Sequence, residues 1–64
     1  MTLVYDYDTD AIYIVLAGDG CVVIAEQTSA TDSVTAARLS ADAAERIAAA
    51  LIEAVGELVK RIHQ

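Results

Sequence analysis

The sequence predicts an α+β domain in which an antiparallel sheet of three or four strands packs against one C-terminal helix. Two observations predict this fold class. Four apolar runs rich in β-branched residues are separated by polar turns over residues 1–39, and a long amphipathic segment follows them. The 64 residues suffice for one domain, residues 1–64. A chain this short buries only about 60% of the surface that its unfolded form exposes, so its core is small.

Four strands are predicted, at about residues 2–7, 11–17, 21–27 and 33–39. The first strand alternates apolar and polar residues, as a half-buried strand does, whereas the second is apolar on both faces. Residues 8–10 supply a polar turn, and residues 18–20, Gly-Asp-Gly, are a strong hairpin signal because they tolerate the backbone angles of tight turns. We expect Tyr5 in the core, and Tyr7 and Tyr13 are open as contact residues.

The helix is predicted at about residues 41–63. Ser40 can cap its start by accepting a hydrogen bond from a free backbone N–H. Lys60, Arg61 and His63 lie in its last turns, where positive charge is favoured, and His63 is interpreted as a surface residue. An arc of about 140° on the helical wheel contains seven large apolar side chains, Ile47, Leu51, Ile52, Val55, Leu58, Val59 and Ile62. A sheet is the natural surface for such a broad face to cover.

The apolar residues exceed what one sheet–helix interface requires. The second and third predicted strands, 11–17 and 21–27, carry apolar side chains on both faces. Something must then cover the second face or an edge of the sheet. A homodimer is the first explanation.

Cysteine usage and the N-terminus indicate a cytoplasmic protein. Cys21 is the single cysteine, so no internal disulfide forms, and we interpret it as a small buried apolar residue in a reduced compartment. No signal peptide is expected, because the N-terminus lacks a basic start. The predicted helix includes Glu45, Glu53 and Lys60 and therefore cannot span a membrane.

The formal net charge is −6, and it is unevenly distributed. Residues 1–39 carry six acidic side chains against one basic side chain, and no Lys or Arg precedes Arg38. A chain with this field repels nucleic acids and anionic membranes and attracts basic protein surfaces. We therefore expect a basic protein partner and no direct binding to nucleic acid or membrane.

The sharpest motif is Asp6-x-Asp8-x-Asp10. A calcium-binding EF-hand loop begins in the same way but needs Gly at its sixth position and Glu at its twelfth, where this chain has Ala11 and Ala17. Acid–base catalysis needs carboxylates whose environments separate their pKa values, and a solvated turn does not provide that. No histidine is placed to activate a nucleophile, and no nucleotide-binding motif occurs. We expect no enzyme activity, metal or cofactor.

The three aspartates have two further interpretations. Asp6 and Asp8 would share the solvent face of the first strand, about 6.8 Å apart, with Asp10 just beyond. That interval is of the order of the charge spacing along a nucleic-acid backbone. Alternatively, they form a solvated turn that keeps the hairpin soluble and prevents edge pairing. The residues expected to bind a partner are Asp6, Asp8, Asp10, Asp19, Glu26 and Asp32.

The segment from Tyr5 to Ile14, Tyr-Asp-Tyr-Asp-Thr-Asp-Ala-Ile-Tyr-Ile, resembles the opening hairpin of a family of small bacterial domains of unknown function. Their pattern is roughly Tyr-Asp-x-x-x-Asp-Ala-Leu-Tyr-Ile. The resemblance covers ten residues, and the family's second half, an Asp-rich turn followed by a Gly-Ile-Glu strand, is missing. It implies a β-hairpin and brings no function.

In its size, its acidity and its first 37 residues without a basic side chain, the chain is similar to phage-encoded inhibitors of bacterial defence, such as anti-CRISPR proteins that mimic DNA. That similarity implies a non-catalytic inhibitor whose acidic surface occupies a basic, nucleic-acid-binding groove of a host defence complex. The alternative is a homodimeric interaction or assembly module whose acidity serves only solubility. Salt distinguishes them, because screening weakens charge-driven binding and leaves apolar association intact.

Overall fold

The computed structural model describes residues 1–62 and contains four strands followed by one helix. These elements are β1 (Thr2–Asp6), β2 (Ala11–Ala17), β3 (Val22–Gln27), β4 (Ser33–Leu39) and α1 (Ala41–Ile62). The strands form one antiparallel sheet in the order β1-β2-β3-β4, so each strand pairs with its neighbours in sequence. The predicted α+β fold class is confirmed. The predicted end of the helix at His63 lies outside the described residues.

The strand register assigns the side chains to two faces, because residues opposite each other in an antiparallel ladder point to the same side. The first, which we call the aliphatic face, carries Leu3, Tyr5, Ile12, Ile14, Leu16, Val23 and Ala25, with Gln27, Ser33, Thr35 and Arg38 as its polar members. The second, the acid-bearing face, includes Val4, Asp6, Tyr13, Val15, Val22, Ile24, Glu26, Val34, Ala37 and Leu39. Both faces of this sheet are therefore largely apolar.

The pairing of β3 with β4 contains an irregularity. Ile24 pairs with Ala37 whereas Ala25 pairs with Thr35, so Ala36 is an extra residue in β4. Such a bulge bends the strand and increases its twist. It also places Val34 and Ala37 on the same face, although three positions separate them in sequence.

The turn between β2 and β3 follows the hairpin signal in the sequence. The N–H of Gly18 donates to the carbonyl of Cys21 at 2.8 Å, and Gly20 has a φ of 75°. Cys21 lies in this turn and not in the strand. Its side chain is half-buried, and its thiol is free. Of the two glycines, Gly20 is the one whose positive φ favours glycine over any residue with a Cβ.

We expect Gly20→Ala to destabilise the protein by about 1–2 kcal/mol, because L-residues other than Gly pay this cost in the left-handed region. A Cβ at Gly20 meets no atom of residues 1–62 within 4 Å, so the loss comes from the backbone alone. Gly18→Ala is the control, since its Cβ would lie 3.6 Å from the Cys21 Sγ in ordinary contact. Urea denaturation of both variants measures the difference, and equal losses would contradict the assignment.

The start of α1 is capped as predicted. The Ser40 Oγ accepts a hydrogen bond from the N–H of Ala43 at 3.2 Å, and the Ser40 carbonyl accepts one from Ala44 at 2.9 Å. A serine cap typically contributes about 1 kcal/mol to helix stability. Ser40 is also the whole connection, because β4 ends at Leu39 and α1 begins at Ala41.

The helix does not lie over the sheet, which corrects the predicted packing. Its contacts with the sheet are made chiefly through β4, and none of its residues within Ala41–Ile62 is buried. Strand-to-helix connections in compact domains usually take 2–6 residues, and Ser40 alone gives the chain no room to reverse. The Cα radius of gyration is 13.8 Å. A compact domain of this length has about 11 Å.

Candidate interaction surfaces

The most prominent surface of the molecule is an apolar stripe along α1. Its seven large side chains, here called the helix stripe, are all exposed, and they are Ile47, Leu51, Ile52, Val55, Leu58, Val59 and Ile62. Near its centre, Leu51 and Leu58 are 60% and 57% exposed. Charged residues occupy the other side of the helix, where Arg46 and Asp42 form an exposed ion pair of 2.9 Å. The helix is therefore amphipathic and has no covering on its apolar side within the described chain.

The sheet is also thinly covered, although its central strands β2 and β3 are mostly half-buried. Ala25 is the one buried residue among residues 1–62, with 5% of its surface exposed. The chain has an accessible surface of 5259 Å². A compact monomer of this mass exposes about 3,900 Å². The excess of about 1,300 Å² by that scaling is surface which a compact fold would bury.

The tight turn between β1 and β2 contains the aspartate motif. β1 ends at Asp6, so Asp8 and Asp10 lie in the turn and do not continue the strand. The predicted row of Asp6 and Asp8 along one strand face is therefore wrong. Asp6 is half-buried, and its Oδ1 accepts the N–H of Asp8 at 3.0 Å. This carboxylate shapes the turn, because such a side-chain acceptor mimics a backbone turn.

Asp10 has a second structural role at the end of this turn. Its φ is 57°, in the left-handed region that Asp tolerates better than most residues. Its Oδ1 accepts a hydrogen bond from the Tyr5 hydroxyl, and the Tyr5 ring packs edge-on against Tyr7 with centroids 4.7 Å apart. The hydrogen bond to Asp10 raises the pKa of Tyr5, and burial adds to the shift. Tyr5 is 42% exposed, so its predicted core position is wrong, because no part of residues 1–62 covers the aliphatic face at that corner.

The Tyr5–Asp10 hydrogen bond predicts a pH effect on the alkaline side. Because the folded-state pKa of Tyr5 is raised above its ordinary value of 10.0, the contribution of this bond is complete below that pH. It is lost as the pH rises through the folded pKa. We expect one tyrosine of the wild-type protein to ionise at a higher pH than the same tyrosine in Asp10→Gly. That variant keeps the positive φ at position 10 but removes the hydrogen-bond acceptor. Spectroscopic titration of tyrosinate measures this, and superimposable curves would contradict the bond.

The sheet topology brings most of the predicted acidic residues to one end of the molecule. The β1–β2 and β3–β4 turns lie at the same end of this antiparallel meander, opposite the β2–β3 turn and the start of α1. The acidic end, as we define it, comprises Asp6, Asp8, Asp10, Glu26 and Asp32. Asp19 lies in the β2–β3 turn and is separated from them. The acidic end and the N-terminal end of α1 therefore lie at opposite ends of the sheet.

Asp32 is held by its own loop. Its backbone N–H donates to the Ser29 Oγ at 3.1 Å, and the Ser29 hydroxyl donates to the Asp32 Oδ2, also at 3.1 Å. Beside the β1–β2 turn, an open cleft of about 450 Å³ is lined by Val4, Tyr5, Asp6, Tyr7, Asp8 and Tyr13. The polar groups of this lining are carboxylates and phenols, which suit a basic side chain as a partner.

Within residues 1–62, no group of three or more His, Cys, Asp or Glu side chains is placed to hold a metal ion. The described helix is not long and apolar enough to cross a membrane. A comparison of the chain with protein-family models, curated proteins and solved structures finds no match. The chemistry of these surfaces therefore has to carry any functional assignment.

Proposed function

We propose that this chain is a non-catalytic interaction module that folds and functions as a homodimer. The observation that supports this proposal is the helix stripe, whose seven large apolar side chains are all exposed in the isolated chain. Single exposed apolar residues are ordinary in soluble proteins, whereas a continuous stripe of this kind is typical of an interface.

The size of the exposed surface supports a stable partner. The excess of about 1,300 Å² per chain exceeds the roughly 800 Å² that each partner buries in a standard protein–protein interface. Obligate homodimers bury more than the standard area, and their interfaces resemble a domain core cut in half. A sheet with apolar side chains on both faces and one buried residue among residues 1–62 fits that description.

The experiment is a molar mass by light scattering at micromolar concentration, in low salt and in about 1 M salt, where the Debye length falls to about 3 Å. The chain mass is 6.7 kDa, and we expect twice this value at both ionic strengths. Apolar association survives the screening of surface charges. A folded chain of single mass would refute the proposal.

A second function, inhibition by charge mimicry, is favoured by a separate observation. The acidic end gathers five carboxylates at the end of the sheet opposite the start of α1, and its Asp6 and Glu26 lie on the acid-bearing face, so a dimer built through the aliphatic face leaves these two free. Its partner would be a basic, nucleic-acid-binding groove of a host defence complex, as for anti-CRISPR inhibitors. Long-range attraction would accelerate such binding, and salt would weaken it.

The triple variant Asp6→Asn, Asp8→Asn, Asp10→Asn tests this second function. Asn keeps a side-chain acceptor for the turn and tolerates the positive φ at position 10, so the hairpin should persist while three charges disappear. We expect the variant to lose basic, salt-sensitive partners that the wild-type protein retains from bacterial lysate. The control removes three charges from the polar side of α1 by Glu45→Gln, Glu53→Gln and Glu57→Gln. Equal capture by both triple variants would reject the acidic end as the binding surface.

A further inference from the structure

We infer that the two copies exchange helices, so that α1 of each copy lies across the aliphatic face of the other copy's sheet. This inference rests on the proposed homodimer and specifies which surfaces meet in it. Four features of the chain carry it: the length of the connection before α1, the width of the helix stripe, the dimensions of the two elements and the distribution of charge.

The connection prevents α1 from covering its own sheet. A single residue, Ser40, separates β4 from α1, and both its hydroxyl and its carbonyl are engaged by the first helical turn. Folding the helix back would require unwinding that turn and breaking these bonds. Short connections of this kind are known to favour exchange of the attached element between copies, because the element reaches a neighbour without the reversal.

The helix stripe is wider than a helix pair requires. Its arc of about 140° exceeds the narrow seam through which two helices of a coiled coil meet. A stripe this wide matches a flat partner, and the sheet is the one flat apolar surface that a second copy offers over residues 1–62. Pairing the two helices with each other would leave the margin of the stripe, Ile52 and Val59, and both faces of the sheet exposed.

The helix is long enough to cover the partner sheet. The 22 residues of α1 span about 33 Å, and the seven-residue strands β2 and β4 span about 23 Å. One helix is thus long enough to cross the whole partner sheet. Because each copy has one helix and one aliphatic face, a two-fold arrangement covers both helix stripes and both aliphatic faces at once.

Charge selects the face. Around its apolar stripe, α1 carries four acidic side chains, Asp42, Glu45, Glu53 and Glu57, against three basic ones, Arg46, Lys60 and Arg61. The acid-bearing face would bring the carboxylates of Asp6 and Glu26 to an apolar interface, whereas the aliphatic face has no carboxylate among its paired residues and carries Arg38 at its β4 edge. Opposite charges beside an apolar interface fix its register, and like charges there are costly. The aliphatic face is therefore the one that the helix stripe can cover without taking carboxylates out of water.

Lengthening the connection tests the exchange. We would insert about four Gly and Ser residues between Leu39 and Ser40, a length typical of such connections, so that Ser40 still caps α1. The expected product is a folded monomer, because the helix can now reach its own sheet. A variant that stays dimeric would overturn the exchange and leave the homodimer standing. A wild-type chain that is itself monomeric would instead refute the proposed function.

A cysteine experiment gives an answer even where the insertion prevents folding. In a Cys21→Ser background, one chain carries Ile14→Cys on the aliphatic face and a second carries Leu51→Cys at the centre of the helix stripe. After the two chains are refolded together and oxidised, we expect a disulfide between them and little self-crosslinking of either chain. Ala49→Cys, on the polar side of α1, is the control and should not crosslink to Ile14→Cys. Preferential self-crosslinking of Leu51→Cys would show helices paired with each other and overturn the inference.

Discussion

Leu51→Asp is expected to abolish the dimer and unfold the chain at micromolar concentration. The side chain is 60% exposed in the isolated chain, but it lies at the centre of the helix stripe, where the proposed partner covers it. The substitution removes a Leu whose burial contributes about 1.5–3 kcal/mol and places an unpaired carboxylate in an apolar interface, at a cost of several kcal/mol. Both copies carry the change, so the dissociation constant should rise at least about a thousandfold, at 1.4 kcal/mol per factor of ten.

Ala49→Asp is the matched control for this prediction. It introduces the same carboxylate two positions away, on the charged side of the same helix, where Ala49 is exposed. Light scattering and far-ultraviolet circular dichroism of both variants measure assembly and folding together. If Leu51 were a free surface residue, its replacement by Asp would leave mass and ellipticity unchanged, and this result would eliminate the helix stripe as the interface.

The strands could be predicted from the sequence because their signals are local. The bounds of β2 and β4 match the predicted residues 11–17 and 33–39, since turn residues or a helix cap delimit each run. The first predicted strand, residues 2–7, is one residue longer than β1. Tyr7 continues the alternation of Leu3 and Tyr5, but the ladder ends where Asp6 pairs with Ala11, and the next four residues form the turn. Alternation shows which residues could face one side, and pairing decides where the strand stops.

The position of α1 could not be predicted from its amphipathicity. A broad apolar face shows that a helix must be covered, and it does not show which chain provides the cover. A usable signal lay in the spacing, because the predicted strand ends at residue 39 and the predicted helix begins at residue 41. That interval leaves Ser40 alone to reverse the chain, which is too short for intrachain packing.

The acidic residues show the same division between local and long-range information. Their number and the absence of basic residues before Arg38 are visible in the sequence. Their grouping at one end depends on the meander, which brings Asp32 to the end that holds Asp10 and sends Asp19 to the other. The turn bonds of Asp6 and Asp10 are short-range, but the motif by itself did not distinguish a charge row from a shaped turn.

Dilution of the wild-type protein is expected to unfold it, because the homodimer supplies most of the buried surface. Binding that favours the folded state stabilises by mass action, so the stability of an obligate dimer depends on chain concentration. Each tenfold dilution should lower it by about 1.4 kcal/mol per dimer. By the usual entropy of unfolding per residue, this corresponds to a fall in Tm of about 5 °C.

Thermal unfolding followed over a hundredfold range of concentration measures this dependence, and loss of helix should coincide with loss of dimer mass. The variant with the lengthened connection between Leu39 and Ser40 is the internal comparison, since its helix can cover its own sheet and its Tm should not depend on concentration. A wild-type Tm that is constant over the range would mean that the sheet is stable with a single buried residue over residues 1–62. That outcome would remove the physical need for a partner. The folded chain would then be stable with the helix stripe exposed to water, and burying the stripe would not be required for folding.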